Sequence, residues 1–269
     1  MSLAIDAEKP IVGMVHLGAL PGAPAFDGDF GAVRAAATRD ARRLEAGGVD
    51  ALLVENFGDA PFYPDDVPKH VVASMTRVAA EIRAAVDLPM GVNVLRNDAE
   101  AALSVANAVD AAFVRVNVHS GARVTDQGVV EGRAHETMRL RDRLDSDVRV
   151  LADLDVKHSA PLADRPLDAE AVAEPIARGL ADGVVVSGAG TGHEVESSHL
   201  ESVAAARDEA GLDAPVFVGS GTTTENVADL LGVADGVIVG TALKEGGETT
   251  NPVAEARVAE LVAAADAAR

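Results

Sequence analysis

Eight short runs of β-branched and aliphatic residues recur along the chain, and longer alanine-rich segments separate most of them. The runs are IVGMVHL (11–17), ALLVEN (51–56), MGVNVL (90–95), AAFVRVNV (111–118), VRVLADLDV (148–156), GVVVSG (183–188), PVFVGSG (215–221) and GVIVGT (236–241). Between them, AVRAAATRDARRLEAGG (32–48), VVASMTRVAAEIRAAV (71–86) and AEAVAEPIARGLADG (169–183) have helical spacing. Gly47-Gly48 and Gly183 stand where helix C-caps belong. Strands alternating with helices build parallel βαβ units. Eight such units in 269 residues predict an α/β chain folded as a single (β/α)₈ TIM barrel over 1–269. A doubly wound open sheet is the alternative. No linker divides the chain.

In a barrel strand, successive side chains face the helices and then the lumen. In the fifth run Ala152, Leu154 and Val156 take the helix side, and Asp153, Asp155 and Lys157 the lumen. In the fourth run Val114, Val116 and Val118 face helices, so Arg115, Asn117 and His119 point inward. Asn93 takes the inward parity of the third run. His16 closes the first run, and Glu55 and Asn56 close the second. Polar groups from different strands therefore gather at the C-terminal strand ends, which carry the active site in this fold. A buried charge without compensation is costly. Asp153, Asp155, Lys157 and Arg115 are expected to offset one another there. The competing reading is a structural ion-pair layer that fills the lumen.

The last two runs end in GSGTTTENVADLL (219–231) and GTALKEGG (240–247). Loops after the seventh and eighth strands of such barrels often hold phosphate on backbone N–H groups and a helix N-terminus. Gly219, Ser220, Gly221, Gly240 and Thr241 form the expected phosphate site, with Ser187 and Gly188 from the sixth run. Gly219 and Gly221 would let the backbone approach an anion. Thr222 to Thr224 followed by Glu225 read as a capped helix start, and Lys244 as a neighbour of the anion. The loop SGAGTGHEVE (187–196), with Thr191 and His193, either wraps a ligand or is a plain turn. The loops at 18–29 and 119–132 are long for βα connections and are expected to act as lids or ligand walls.

Composition narrows the partners. The 43 acidic against 23 basic residues give a net charge of −20, and Lys9, Lys69, Lys157 and Lys244 are the only lysines. Such a surface is tolerable in molar salt, which screens self-repulsion, and this predicts a halophilic cytoplasm. No basic stripe exists to meet nucleic acid. Without cysteine there is neither disulfide nor thiolate chemistry. The segment MSLAIDAEKPIVGMV does not read as a signal peptide. No apolar run approaches the roughly 20 residues of a membrane span. A cytoplasmic protein is expected, and a homo-oligomer is open because no stripe marks an interface.

The mouth residues suit an enzyme acting on a small phosphorylated ligand, a sugar phosphate or a nucleotide-like compound. Opposed carboxylates beside a lysine or histidine fit proton abstraction next to a carbonyl, as in isomerases and lyases. The catalytic candidates are Asp153, Asp155, Lys157, His16, Glu55, Asn93, Arg115, Asn117 and His119. A Schiff base on Lys157 would need a depressed pKa. Two neighbouring acids raise it instead, which favours an electrostatic or acid role. A divalent metal (Mg²⁺, Mn²⁺ or Zn²⁺) is a further possibility, with Asp153, Asp155, Glu55, His16 and His158 as ligands. His158 has helix-facing parity unless the strand ends before it. A non-catalytic assembly factor would be expected to have lost the polar mouth. His70, His135 and His199 read as surface residues and Met14 as lumen packing.

The segments KPIVGMVHLGALPGAPAF (9–26), GVDALLVENFGDAPF (48–62), GVNVLRND (91–98), FVRVNVHSGARVTDQGVVEG (113–132), DVKHSAPL (155–162), VVVSGAGTG (184–192), VFVGSGTTTENV (216–227) and GVIVGTALKEGG (236–247) resemble the BtpA/SgcQ family. The resemblance spans nearly the whole chain. It implies a barrel of the phosphate-binding type. One branch of that family is named for photosystem I biogenesis at thylakoid membranes. Another sits among sugar-uptake and sugar-processing genes and is loosely called a nucleoside triphosphatase. The resemblance therefore also implies a biogenesis factor or a nucleotide phosphohydrolase as alternatives, and it supplies no catalytic residue.

Overall fold

The computed structural model describes residues 5–154, 156, 158–162, 168–188 and 195–269. The strands are β1 (Ile11–His16), β2 (Ala51–Glu55), β3 (Met90–Asn93), β4 (Phe113–Val116), β5 (Ala122–Thr125), β6 (Gly128–Glu131), β7 (Arg149–Asp153), β8 (Ser159–Pro161), β9 (Gly183–Val186), β10 (Val216–Val218) and β11 (Gly236–Val239). The helices are α1 (Phe30–Gly47), α2 (Lys69–Arg83), α3 (Ala99–Ala108), α4 (Ala134–Arg143), α5 (Ala169–Ala173), α6 (Ser197–Glu209), α7 (Val227–Leu231) and α8 (Glu255–Asp266).

Eight strands close a parallel barrel in the order β1-β11-β10-β9-β7-β4-β3-β2. The predicted single (β/α)₈ barrel is therefore the fold, and the open-sheet alternative falls. Alternation explains its two cores. Ile11 and Val15 face the helices, together with Val114, Val116, Val150 and Ala152. Val12, Met14, Ala51, Leu53, Phe113, Leu151, Phe217 and Ile238 fill the lumen. In a chain with so few aromatics, Phe113 and Phe217 act as plugs, because the neighbouring strands carry glycine opposite them. A Cβ built on Gly91 would fall 2.2 Å from Phe113 Cε2, and one on Gly236 2.4 Å from Phe217 Cε1.

The helices follow their local signals. Asp29 Oδ1 accepts from Ala32 N at 2.9 Å at the start of α1, and Asp98 Oδ1 from Ala101 N at 2.8 Å at the start of α3. Gly48 closes α1 in the left-handed conformation, φ 93°. The segment expected as one helix over 169–183 differs. It is α-helical only to Ala173 and then π-helical over Glu174–Arg178. Pro175 sits at that change, where its missing N–H breaks the α ladder. No helix among the described residues is long and apolar enough to cross a membrane.

The stretch at 119–132 holds a hairpin, not an irregular loop. β5 pairs antiparallel with β6 and, on its other side, with β8. β5 and β6 follow β4 in the chain and β8 follows β7, so this small sheet links the segments after two neighbouring barrel strands.

Candidate active site at the C-terminal mouth

A cavity of about 660 Å³ opens at the C-terminal ends of the strands. Register sets its first wall. His16, Glu55 and Asn93 lie at one level across β1, β2 and β3. His16 Nε2 lies 3.8 Å from Glu55 Oε1, and its ring packs against Phe57 with centroids 4.8 Å apart. His16 fits there because Gly240 has no side chain, since a Cβ at that position would fall 2.7 Å from His16 Cε1.

Arg115 forms the floor. Its Nε donates to Asp153 Oδ1 at 2.7 Å and its Nη2 to Asp153 Oδ2 at 2.9 Å, a two-pronged pairing that fixes the guanidinium plane. Nη2 also reaches Ser187 Oγ at 3.3 Å, and Asn117 Nδ2 donates to Asp153 Oδ2 at 3.1 Å. Asn93 Nδ2 donates to the Arg115 carbonyl at 2.8 Å and to Asn117 Oδ1 at 3.2 Å. Burial works against the charge on Arg115, but Asp153 and then Glu55 outweigh it, and the guanidinium pKa is raised. Asp153 thus holds Arg115 and does not itself line the cavity. Gly219 makes room for this group. A Cβ there would fall 2.7 Å from Ser187 Oγ and 3.0 Å from Arg115 Nη2.

The opposite wall runs from Gly219 to Glu225 and from Val239 to Ala242. Gly221 has φ 71°, a left-handed conformation that suits glycine. Asn226 pins this loop. Its Oδ1 accepts from Thr223 N at 2.8 Å and its Nδ2 donates to the Gly221 carbonyl at 2.9 Å. The helix expected to start over Thr222–Glu225 starts later: α7 begins at Val227 after Asn226, and the Thr223 carbonyl accepts from Val227 N at 3.0 Å. A hydrogen bond from Thr223 lowers the Glu225 pKa, so that carboxylate stays ionised at the rim. Thr222 Oγ1 is buried in the wall and has no hydrogen-bond partner among the described residues. Gly219 N–H donates to the Val186 carbonyl at 2.7 Å. It is part of the sheet ladder and is not offered to an anion, contrary to the sequence expectation.

Of the sequence candidates, His16, Glu55, Arg115, Asn117, Gly219, Ser220, Gly221, Gly240 and Thr241 line this cavity together. Asp153, Asn93 and Ser187 support them from below. Gly188 N donates to Ser220 Oγ at 2.8 Å. Asp155 and Lys157 lie outside the described residues, as do Thr191 and His193. His119 does not reach the mouth. Its Nε2 meets the Gly179 carbonyl at 2.8 Å, and the side chain is buried against the π-helical segment. Burial lowers its pKa. Lys244 is not beside the cavity either. It is buried and paired with Asp40 of α1 at 2.9 Å. Burial lowers its pKa, while Asp40 pushes it back up. His158 does line the cavity, because the strand ends at Asp153 and the chain takes φ 56° at His158.

Among the described residues, no three His, Asp or Glu side chains converge to hold a metal ion. Asp153, one of the candidate ligands, has both oxygens engaged by Arg115 and Asn117.

Arg96 and Arg257 also line the cavity and were not foreseen. Arg257 Nε donates to the Ala242 carbonyl at 2.7 Å, which seats the guanidinium beside the last loop. One signal could have found it: the helix after the eighth barrel strand begins next to that loop, and Arg257 is in its first turn. Three Arg and two His against three Glu line the cavity, in a chain of net charge −20. With the histidines neutral, the mouth is balanced in charge, in contrast to the acidic chain around it.

Fold and mouth together define a TIM barrel with a polar pocket of balanced charge at its C-terminal face. The model of the BtpA family matches residues 7–267, and the chain belongs to that family. An uncharacterized protein of Thermococcus kodakarensis is 49% identical, covering 95% of this chain and 94% of its own. The photosystem I biogenesis protein BtpA of Synechocystis is 44% identical, over 96% of this chain and 88% of its own. The putative sgc region protein SgcQ of Escherichia coli is 32% identical, over 96% and 94%. Among solved structures, Mycobacterium tuberculosis tryptophan synthase aligns with TM-score 0.62 at 16% identity, covering 96% of this chain and 93% of that one. N-(5'-phosphoribosyl)anthranilate isomerase from Pyrococcus furiosus aligns with TM-score 0.58 at 15% identity, over 96% and 99%. At such identities these likenesses establish the fold alone.

Proposed function

We propose that this chain is an enzyme acting on a small phosphorylated metabolite, a sugar phosphate or nucleotide-like compound, by proton transfer of the isomerase or lyase type. The observation that carries this reading is the division of the cavity. One wall is loop backbone with hydroxyls, among them the buried Thr222 Oγ1, which has no partner among the described residues. The other presents Glu55, His16, Arg115 and Asn117. The phosphate sits between 219–225 and 240–241, with Arg257 beside it. The carbon skeleton then lies over the acid–base side.

In this reading Glu55 removes a proton next to a carbonyl, and Arg115 with Asn117 stabilises the oxyanion that forms. His16, near Glu55, takes that proton and returns it to the adjacent carbon of the substrate, or to the leaving group in a lyase, which restores Glu55 as a base. Asp153 keeps Arg115 oriented and electrically balanced. Asp155 and Lys157, sequence candidates outside the described residues, are kept in this reading as an acid and an electrostatic partner.

The test is a thermal-shift screen in molar KCl with sugar phosphates, nucleotides and inorganic phosphate, each with and without Mg²⁺. Wild type, Gly221→Asp and Thr222→Val are compared. A ligand at 100 times its Kd stabilises by about 2.7 kcal/mol, and each kcal/mol moves Tm by roughly 2–4 °C in a chain near this size. The expected hit is lost in Gly221→Asp and weakened in Thr222→Val. Absence of any hit overturns the reading. It would favour an assembly role, the class named for the Synechocystis relative.

A further inference from the structure

A second cavity of about 350 Å³ lies beside the first. The two adjoin along Phe62 and Leu95, which line both. The second is formed by the loops after β1, β2 and β3 together with the start of α2. Its walls include Pro24, Pro61, Tyr63 and Val67, which are rigid rings and short aliphatics. Asn56, Asp59 and His70 supply the polar groups. Its volume is at the small end for ligand pockets, about 300–1,000 Å³, which suits one ring system better than a chain or a peptide.

Aromatic usage points the same way. The chain has six Phe, one Tyr and no Trp. Phe113 and Phe217 are consumed as plugs in the lumen. Phe57, Phe62 and Tyr63 stand within seven residues on the loop after β2, where Phe57 lines the first cavity, Tyr63 the second and Phe62 both. Tyr63 is 48% exposed, and nothing in the hydrophobic core requires it there. Rings brought together at a ligand cavity make a stacking surface.

Asp59 faces this cavity from a fixed position. Its Oδ1 accepts from Leu20 N at 2.8 Å and its Oδ2 from Asn56 Nδ2 at 3.1 Å. Burial raises its pKa, against the hydrogen bonds from Leu20 and Asn56 and the nearby His70. A carboxyl held beside flat apolar walls matches a ring that carries N–H donors.

Building on the phosphate reading above, we propose that the substrate is a phosphorylated nitrogen heterocycle. Its phosphate occupies the loops after β10 and β11, and its planar ring occupies the second cavity against Phe62, Tyr63 and Asp59.

The test is calorimetric titration of wild type, Ala23→Trp and Tyr63→Ala in molar KCl. The probes are the 5′-monophosphates of adenosine, guanosine, cytidine and uridine, with ribose 5-phosphate and inorganic phosphate. Ala23 lines only the second cavity, from a surface loop, so a Trp there fills it. Tyr63 is exposed enough to be removed without unfolding the chain. At least one nucleotide is expected to bind wild type about tenfold or more tighter than ribose 5-phosphate, the effect of one stacked ring. Both variants are expected to shrink that ratio towards one, with ribose 5-phosphate affinity retained. If ribose 5-phosphate binds as well as every nucleotide, or the ratio survives in Ala23→Trp, the second-cavity proposal falls and the phosphate reading stands. If no phosphorylated probe binds, both fall together.

Discussion

The Arg115–Asp153 pair is the sharpest point at which to test the account of the mouth. Their side chains are 4% and 0% exposed, and they meet at 2.7 Å. Removing one partner of such a pair strands a charge in the barrel, which costs about 3–5 kcal/mol. Arg115→Met leaves Asp153 with only Asn117 as a donor among the described contacts, in the presence of Glu55. At roughly 2–4 °C per kcal/mol, its Tm should fall by about 6–20 °C. Replacing both residues removes the stranded charge, so Arg115→Met with Asp153→Leu should recover most of that loss. Differential scanning calorimetry in molar KCl on wild type, both single variants and the double variant closes the cycle. If Arg115→Met melts within 2 °C of wild type, the pair is not the buried centre described. If the double variant loses the sum of the singles, the cost came from packing and not from charge.

Three further outcomes follow from the same geometry. Gly240→Ala should displace His16, since the added Cβ would meet its ring at 2.7 Å, and it should destabilise by about 1–3 kcal/mol, a Tm loss of roughly 2–12 °C; unchanged melting together with an unchanged His16 NMR environment would refute this. Because His119 is held neutral with a pKa below its ordinary 6.5, the unfolded chain binds more protons below that pH, so stability falls as pH drops from about 6.5 towards the lowered value. The same melting series on His119→Gln should show a flatter limb in that window, and an identical limb would count against it. Finally, the net charge of −20 predicts that Tm rises as KCl is raised from 0.1 M into the molar range, and full stability at low salt would remove the halophilic reading.

The barrel was legible because each of the eight runs contains one of its strands, and the alternation assigned Arg115 and Val114 to opposite sides. That logic stopped where the strands stop. β4 ends at Val116, so the parity that places Arg115 inward no longer governs His119, which turns towards the π-helical segment. β7 ends at Asp153, and His158 enters the cavity by a left-handed turn that no periodicity announces. Lys244 was read with its loop, but a lone lysine beside glycines cannot reveal that Asp40, far away in sequence, is waiting for it on α1. The hairpin at 122–131 was missed because GARVTDQGVVEG was read only as a long connection. Its two β-branched halves around Asp126-Gln127-Gly128 held the pairing signal. The second cavity was invisible for a related reason. It is assembled from three loops and a helix start, and His70 gains a role only from where those four segments meet.

β4 and β7 are neighbours in the barrel, and Arg115 and Asp153 bind them inside it. The segments that follow them are joined again outside it, where β5 pairs with β8 at Arg123↔Pro161, Val124↔Ala160 and Thr125↔Ser159. The paired strands of two surface connections are thereby tied together before any ligand arrives. A molecule that pushes on one must carry the other with it. For the paired residues the cost of ordering is met at folding, so these three strands have little left to lose when the site fills.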